Sequence, residues 1–224
     1  MTNEQKPKLA NYYKDLPQGF KEDYRIDAKK TSVGVVLNVI AGAIALALIV
    51  ALYLAKYGLN SHQFYNEDPV ILLIAAAVFC VSMILYLVVH ELTHGAAYKL
   101  LTRQKLRFGM TLTVAYCGLK EGYVNKKTSL IATLAPFVLH SIWMIIAYCL
   151  LPDNVWAMVI IMLFSLHFGG CIGDLWVTGI LLFKYRKKQV LVSDDGPCQV
   201  FYAYSDEVEE QAPVAEQTPQ AEEE

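Results

Sequence analysis

The chain has 224 residues, 55% of them hydrophobic and 18% charged, and a formal net charge of -2. That balance is too apolar for an ordinary soluble domain of this length. Once the long apolar runs are set aside, too little sequence remains for a second sizeable soluble core.

Residues 1–32 are polar and read as a cytoplasmic N-terminal segment. Four apolar runs follow: Val33–Ala55, Val70–Val89 (continuing less purely to Leu101), Leu130–Leu151 and Val155–Phe183. A helix needs about 20 apolar residues to cross a bilayer core, and each run supplies them. A backbone in lipid must satisfy its own hydrogen bonds, so these runs are expected to be helices. The first is not a cleaved signal, because it follows a long polar segment and exceeds the roughly 7–15 residues of a signal core. The expected fold is an all-α polytopic membrane protein, four transmembrane helices with short cytoplasmic β-hairpins. Its membrane domain spans 33–183, with a core at 69–183, a hairpin at 184–204 and a disordered acidic tail at 205–224.

Basic residues set an orientation. Seven lie in 1–32, seven between Lys99 and Lys127, and four in "KYRKK" at 184–188, together eighteen of nineteen. The loops at 58–68 and 152–154 have none. By the positive-inside rule both termini and the 99–127 loop face the cytoplasm, giving a multi-pass protein of the cell membrane. The net charge hides this asymmetry, because the last twenty residues carry eight acids and no base. Such a low-complexity tail is expected to be disordered and solubilising.

The second run ends in "LYLVVHELTHGAAYKLL". On a helix, His90 and His94 lie on one face a turn apart and can hold one ion between their rings. Glu91 stands beside that face, placed to reach a metal-bound water without ligating the metal. This is the content of H-E-x-x-H in zinc hydrolases. In a soluble helix the pattern alone would read as two histidines and a solvated glutamate. Within a membrane helix, ionisable groups cost roughly 2.5–3.5 kcal/mol and generally mark a function.

After this helix, "RFGMTLTV" alternates Phe108, Met110, Leu112 and Val114 with small or polar residues, and "GLKEG" follows as a turn. In the third run, Pro136 removes the hydrogen bond to the Ala132 carbonyl and is expected to kink the helix. In the fourth, Asp174 is, besides Glu91, the one acid within the spans. It lies nineteen residues after Val155, and His90 lies twenty after Val70. Both helices run inward, so at about 1.5 Å per residue the two side chains share a level. Asp174 is thereby the candidate third metal ligand. His140 and His167 lie deeper and read as buried polar residues. Gly169 and Gly173 form a G-x-x-x-G, which reads as close helix packing and, in its functional reading, lets the fourth helix approach the second. "VLVSDDGPCQVFYAY" reads as a second hairpin. Cys80, Cys117, Cys149, Cys171 and Cys198 are dispersed, odd in number and without a C-x-x-C, which reads as packing.

"VVHELTHG", "SLIATLAPF" and "GGCIGDLW" resemble the putative zincin peptidase family of small membrane proteins, allied to the site-2 protease (intramembrane zinc metalloprotease) clan. The resemblance implies a three-helix core at about 69–183, with the first span an addition. It implies Zn2+ held by His90, His94 and Asp174, with Glu91 as general base, and a β-hairpin after the first core helix. It further implies a zinc metalloendopeptidase acting on membrane proteins or membrane-associated peptides. One departure is that Asp174 is preceded by Gly173 and followed by Leu175, whereas site-2 proteases generally place this aspartate in Asp-Gly. The expected partners are the lipid bilayer and such a substrate, with no nucleic acid. Two other classes use the same residues. A non-enzymatic membrane protein would hold a structural or regulatory metal and would not need Glu91. A transporter would favour ionisable groups at several depths.

Overall fold

The computed structural model describes residues 9–27, 31–59, 67–110 and 115–205. Among them, four helical segments are long and apolar enough to cross a membrane: Ser32–Tyr57, Pro69–Thr102, Lys126–Leu150 and Val155–Lys184. They belong to α1 (Thr31–Tyr57), α2 (Pro69–Thr102), α3 (Lys126–Leu150), and α4 (Val155–Gly170) with α5 (Ile172–Gly179). The last continues as one π-helical stretch, Ile180–Lys184.

The helix ends follow from local chemistry. Asp68 accepts the Val70 N–H with Pro69 as first residue of α2, a position where the missing proline N–H leaves nothing unpaired. Asn125 caps α3 through the Thr128 N–H, and Asn154 caps α4 through those of Trp156 and Ala157. Large apolar side chains such as Val39, Leu46, Leu73 and Ile84 point outward and exposed, as suits helices whose surroundings are hydrocarbon. Lys56, the basic residue outside the three clusters, donates to the Tyr148 and Leu151 carbonyls and pairs with Asp153 at 3.2 Å. It closes the end of α3 that has no further helical N–H donors.

The expectation of an all-α fold is wrong. Seven strands form two sheets among the described residues. Five of them, β1 (Tyr12–Tyr13), β2 (Phe20–Asp27), β5 (Tyr123–Asn125), β6 (Val190–Asp194) and β7 (Cys198–Tyr204), make one antiparallel sheet ordered β1-β5-β6-β7-β2. The others, β3 (Leu106–Met110) and β4 (Ala115–Leu119), pair antiparallel. The larger sheet draws on three separated parts of the chain, including the polar N-terminal segment. Tyr24 and Ile26 turn toward the main core, whereas Phe20 pairs with Tyr204 before the bulge between Glu22 and Tyr24 and lies on the other side of the strand. The hairpin expected at 184–204 is present as β6 and β7, whereas β1 and β5 are too short to show periodicity and β1, β2 and β5 pair with strands far away in sequence.

The main core joins this sheet to the helix ends. Tyr98 of α2, Val124, Ala132, Val177, Leu181, Tyr185, Val190, Val192 and Phe201 form one buried cluster. Tyr185 donates to Asp23 at 2.7 Å, and Lys184 pairs with the same carboxylate at 2.9 Å. These two bonds hold the Asp23 carboxyl below its ordinary range and fix β2 against the end of the fourth span. The smaller hairpin begins one residue before the stretch read as a strand, and Met110 pairs with Ala115 at its described end. Leu112 and Val114 lie outside the described residues, and Gly118 and Leu119 of "GLKEG" belong to β4 rather than to a turn. The acidic tail, beyond Ser205, also lies outside them.

Candidate metal centre

His90 and His94 stand one helical turn apart on α2, and both are buried. Asp174 reaches them from α5, its Oδ2 lying 3.4 Å from Nε2 of each. A backbone break precedes it: Cys171, between α4 and α5, leaves helical geometry at φ -77° and ψ 2°. The three donor atoms lie within 4.8 Å of one another. Ligand atoms about 2.1 Å from a tetrahedral ion are separated by roughly 3.4 Å, which is the separation of Asp174 Oδ2 from each histidine Nε2.

Each histidine has its other nitrogen engaged. His94 Nδ1 lies 2.8 Å from the Ala132 carbonyl of α3. A carbonyl only accepts, so Nδ1 carries the proton and Nε2 is left with a free lone pair. His90 Nδ1 lies 2.9 Å from the Tyr86 hydroxyl, which is also 2.7 Å from His167 Nδ1. Partners at the far nitrogen orient ligating histidines generally.

Glu91 lines the same cavity of about 150 Å³ as His90, His94 and Asp174. It lines that cavity beside the donors, one position along α2 from His90. The cavity's opposite wall is β4, at Ala115–Cys117, and the turn between β6 and β7. The small hairpin sits close because Gly95 has no side chain. A Cβ there would lie 2.8 Å from Phe108 and 3.2 Å from Cys117.

Asp194 was not foreseen. It ends β6, is 4% exposed, and faces the cavity. It accepts from Tyr98 at 2.5 Å, from the Gly196 N–H at 2.9 Å and from Gln199 at 3.2 Å. Burial pushes its carboxyl up to about 6, against the pull of these hydrogen bonds. "SDDGP" reads only as a turn, yet Val190, Val192 and Asp194 alternate on one strand face, and the two valines are core. Tyr86 was likewise legible, since it lies four residues before His90 and hence on its face.

The rival histidines are spoken for. His140 Nδ1 accepts from Trp143 Nε1 at 3.1 Å, so its Nε2 carries the proton and faces Thr93 Oγ1 at 3.2 Å. His167 contacts Tyr86 and, at 3.0 Å, Ser141. A second donor group, His90, His167 and Cys171, is also close enough for an ion. The Tyr86 hydroxyl lies within hydrogen-bond distance of both of its imidazoles, and so already fills the space between them.

The two glycines of the G-x-x-x-G do not bring the fourth span to the second. Gly169 faces α1, where a Cβ would meet the Ala41 carbonyl oxygen at 2.5 Å, whereas a Cβ on Gly173 meets nothing within 4 Å. Consequently α1 packs on α4 and, among the described residues, makes no extended contact with α2. A groove remains between them, lined by Ala41, Gly42, Met83 and Leu87, and it reaches His90 and Glu91.

No curated protein and no solved structure matches the chain. Residues 83–190 match the family described as "Putative zincin peptidase", and that stretch holds His90, Glu91, His94 and Asp174. Zincins are zinc enzymes by definition, and the donor set found here suits that ion. Residues 83–190, and the candidate metal centre within them, are thus similar to the putative zincin peptidase family.

Proposed function

We propose that this protein is a zinc-dependent metallopeptidase of the site-2 protease kind, embedded in the membrane and hydrolysing peptide bonds of membrane-associated substrates. The observation that carries the reading is the equal 3.4 Å approach of Asp174 to both histidine Nε2 atoms, on the cavity that Glu91 faces. His90, His94 and Asp174 are the ligands. Bound zinc would act as a Lewis acid toward the scissile carbonyl and would raise the acidity of water. Three protein ligands are what a catalytic site has, with a further position left open.

Glu91 is the general base. Its carboxylate takes a proton from the attacking water and passes it to the leaving amine, a role worth typically 10²–10⁴-fold in rate. The groove between α1 and α2 lies at the depth of the spans and leads to this carboxylate, so a membrane-embedded segment reaches the site sideways. Attack requires an exposed peptide bond, and an extended segment laid along Ala115–Cys117 of β4 presents one. On this reading the substrate runs along the second strand of the small hairpin.

A structural metal site would use the same three ligands but make no use of Glu91. Membrane proteomes of cells expressing wild-type and Glu91→Gln protein separate the two. Membrane proteins that accumulate uncut only with Glu91→Gln support the peptidase, provided the purified variant keeps its zinc. Full function with Glu91→Gln, in any phenotype that the gene complements, overturns it.

A further inference from the structure

Pro136 sits inside α3 and is buried. A proline there supplies no N–H to the carbonyl four residues earlier, and its ring pushes that carbonyl off the helix axis. The carbonyl in question is that of Ala132, and it is the same oxygen that lies 2.8 Å from His94 Nδ1. The vacancy that proline leaves in the helix ladder is therefore filled by the imidazole of a different helix.

We propose that Pro136 is a positioning residue for His94, acting through the Ala132 carbonyl. This rests on the assignment of His94 as a ligand through Nε2. With an ordinary residue at 136, the carbonyl would be drawn back into the helix by its own N–H donor. It would then be shared with His94 or lost to it. With proline, the carbonyl has one donor to serve. That donor holds the ring in the Nδ1–H form and leaves the Nε2 lone pair directed at Asp174, 3.4 Å away. Partners of this kind change metal affinity by about 10–100-fold when they are altered. His90 obtains the equivalent support from the Tyr86 side chain, so the two ligands are oriented by different devices. A proline in a helix interior is ordinarily destabilising, and here its position coincides with a carbonyl that a ligand requires.

The test uses the full-length protein in detergent, with Pro136→Ala, Pro136→Val and His94→Ala variants. Both proline replacements restore the N–H, and they differ in size, so a shared effect reports the N–H and not ring packing. Zinc affinity is measured by competition with a chelator. The tautomer of His94 is read from histidine ¹⁵N–¹H spectra of the metal-free protein, its signal identified by its absence in His94→Ala. The metal-free melting temperature is recorded for each.

The expected result is that both proline variants melt no lower than the wild type, weaken zinc binding by about tenfold, and shift the His94 Nδ1 signal. Unchanged affinity with an unchanged Nδ1 signal in both variants overturns the proposal. So does an affinity loss confined to variants whose metal-free melting temperature falls, because the ring would then act by packing. Full zinc occupancy in His94→Ala is a separate failure, of the ligand assignment itself.

Discussion

Tyr98 donates its hydroxyl to Asp194, which ties the helix of His90 and His94 to the C-terminal hairpin by a bond between two buried side chains. The carboxyl of Asp194 titrates near 6 when folded, against an ordinary value of 3.8. An acid raised in this way holds its proton more tightly in the folded state. Its contribution to stability is full below about pH 4 and is lost as the pH rises through 6, a loss on the order of 3 kcal/mol. Asp23, held low by Lys184 and Tyr185, works in the opposite sense and is common to both proteins in the comparison. Asp194→Asn is expected to flatten the decline in melting midpoint between pH 4 and 7, measured in detergent at constant salt. Equal slopes for variant and wild type would remove Asp194 as the cause.

Metal content distinguishes the donor groups. Purified His94→Ala and Asp174→Ala proteins are expected to lose most of about one zinc per chain, whereas His140→Ala retains it, because both nitrogens of His140 are engaged elsewhere. Elemental analysis after gel filtration measures this. Full occupancy in Asp174→Ala would assign the third ligand elsewhere, with His167 and Cys171 the next donors to replace.

The glycines of the fourth span give opposite expectations. Gly169→Ala drives a Cβ to within 2.5 Å of a backbone oxygen of α1, and overpacking of this kind typically costs about 1–3 kcal/mol. Gly173→Ala meets open space and removes a flexible residue from a helix, which stabilises by about 0.4–1 kcal/mol. Thermal unfolding of the two variants should move the midpoint down and up respectively. A shared direction would mean that α1 is not held by this contact.

Orientation is open to a direct measurement. Leu59 follows α1 and Lys120 follows β4, and both are exposed. Single cysteines at these positions are expected to be labelled by an impermeant thiol reagent from opposite sides of sealed vesicles, Lys120→Cys from the cytoplasmic face. Labelling of both from one side would refute the four-span topology.

The four spans and the meeting of His90, His94 and Asp174 were legible because each depends on a short-range rule. Apolar length defines a span, and i, i+4 spacing defines a helix face. A count from the outer end defines depth. The β6–β7 hairpin of the larger sheet was legible, but the rest of that sheet was not, since β5 is three residues long and β1 is two, and neither has a partner nearby in sequence. The close packing at Gly169 was legible, but its partner was not, for a related reason. A small-residue pattern shows that something comes close, and only the packed helices show that it is Ala41 of α1. Pro136 was noticed as a kink, whereas its neighbour across the bundle, His94, could be known only from the assembled helices.

The strand order β1-β5-β6-β7-β2 has a consequence for biosynthesis. The first two strands to leave the ribosome stand at opposite edges of the sheet and have no contact with each other there. Both wait for β5, β6 and β7, the last of which is Cys198–Tyr204. With synthesis at roughly 5–20 residues per second, the spans can enter the bilayer before the sheet exists. Asp194 and the turn after it, which wall the cavity, arrive in that final stretch. A nascent or prematurely terminated chain therefore carries the three donors and Glu91 without this wall, and the candidate metal centre is completed only after translation has passed the four long apolar helices.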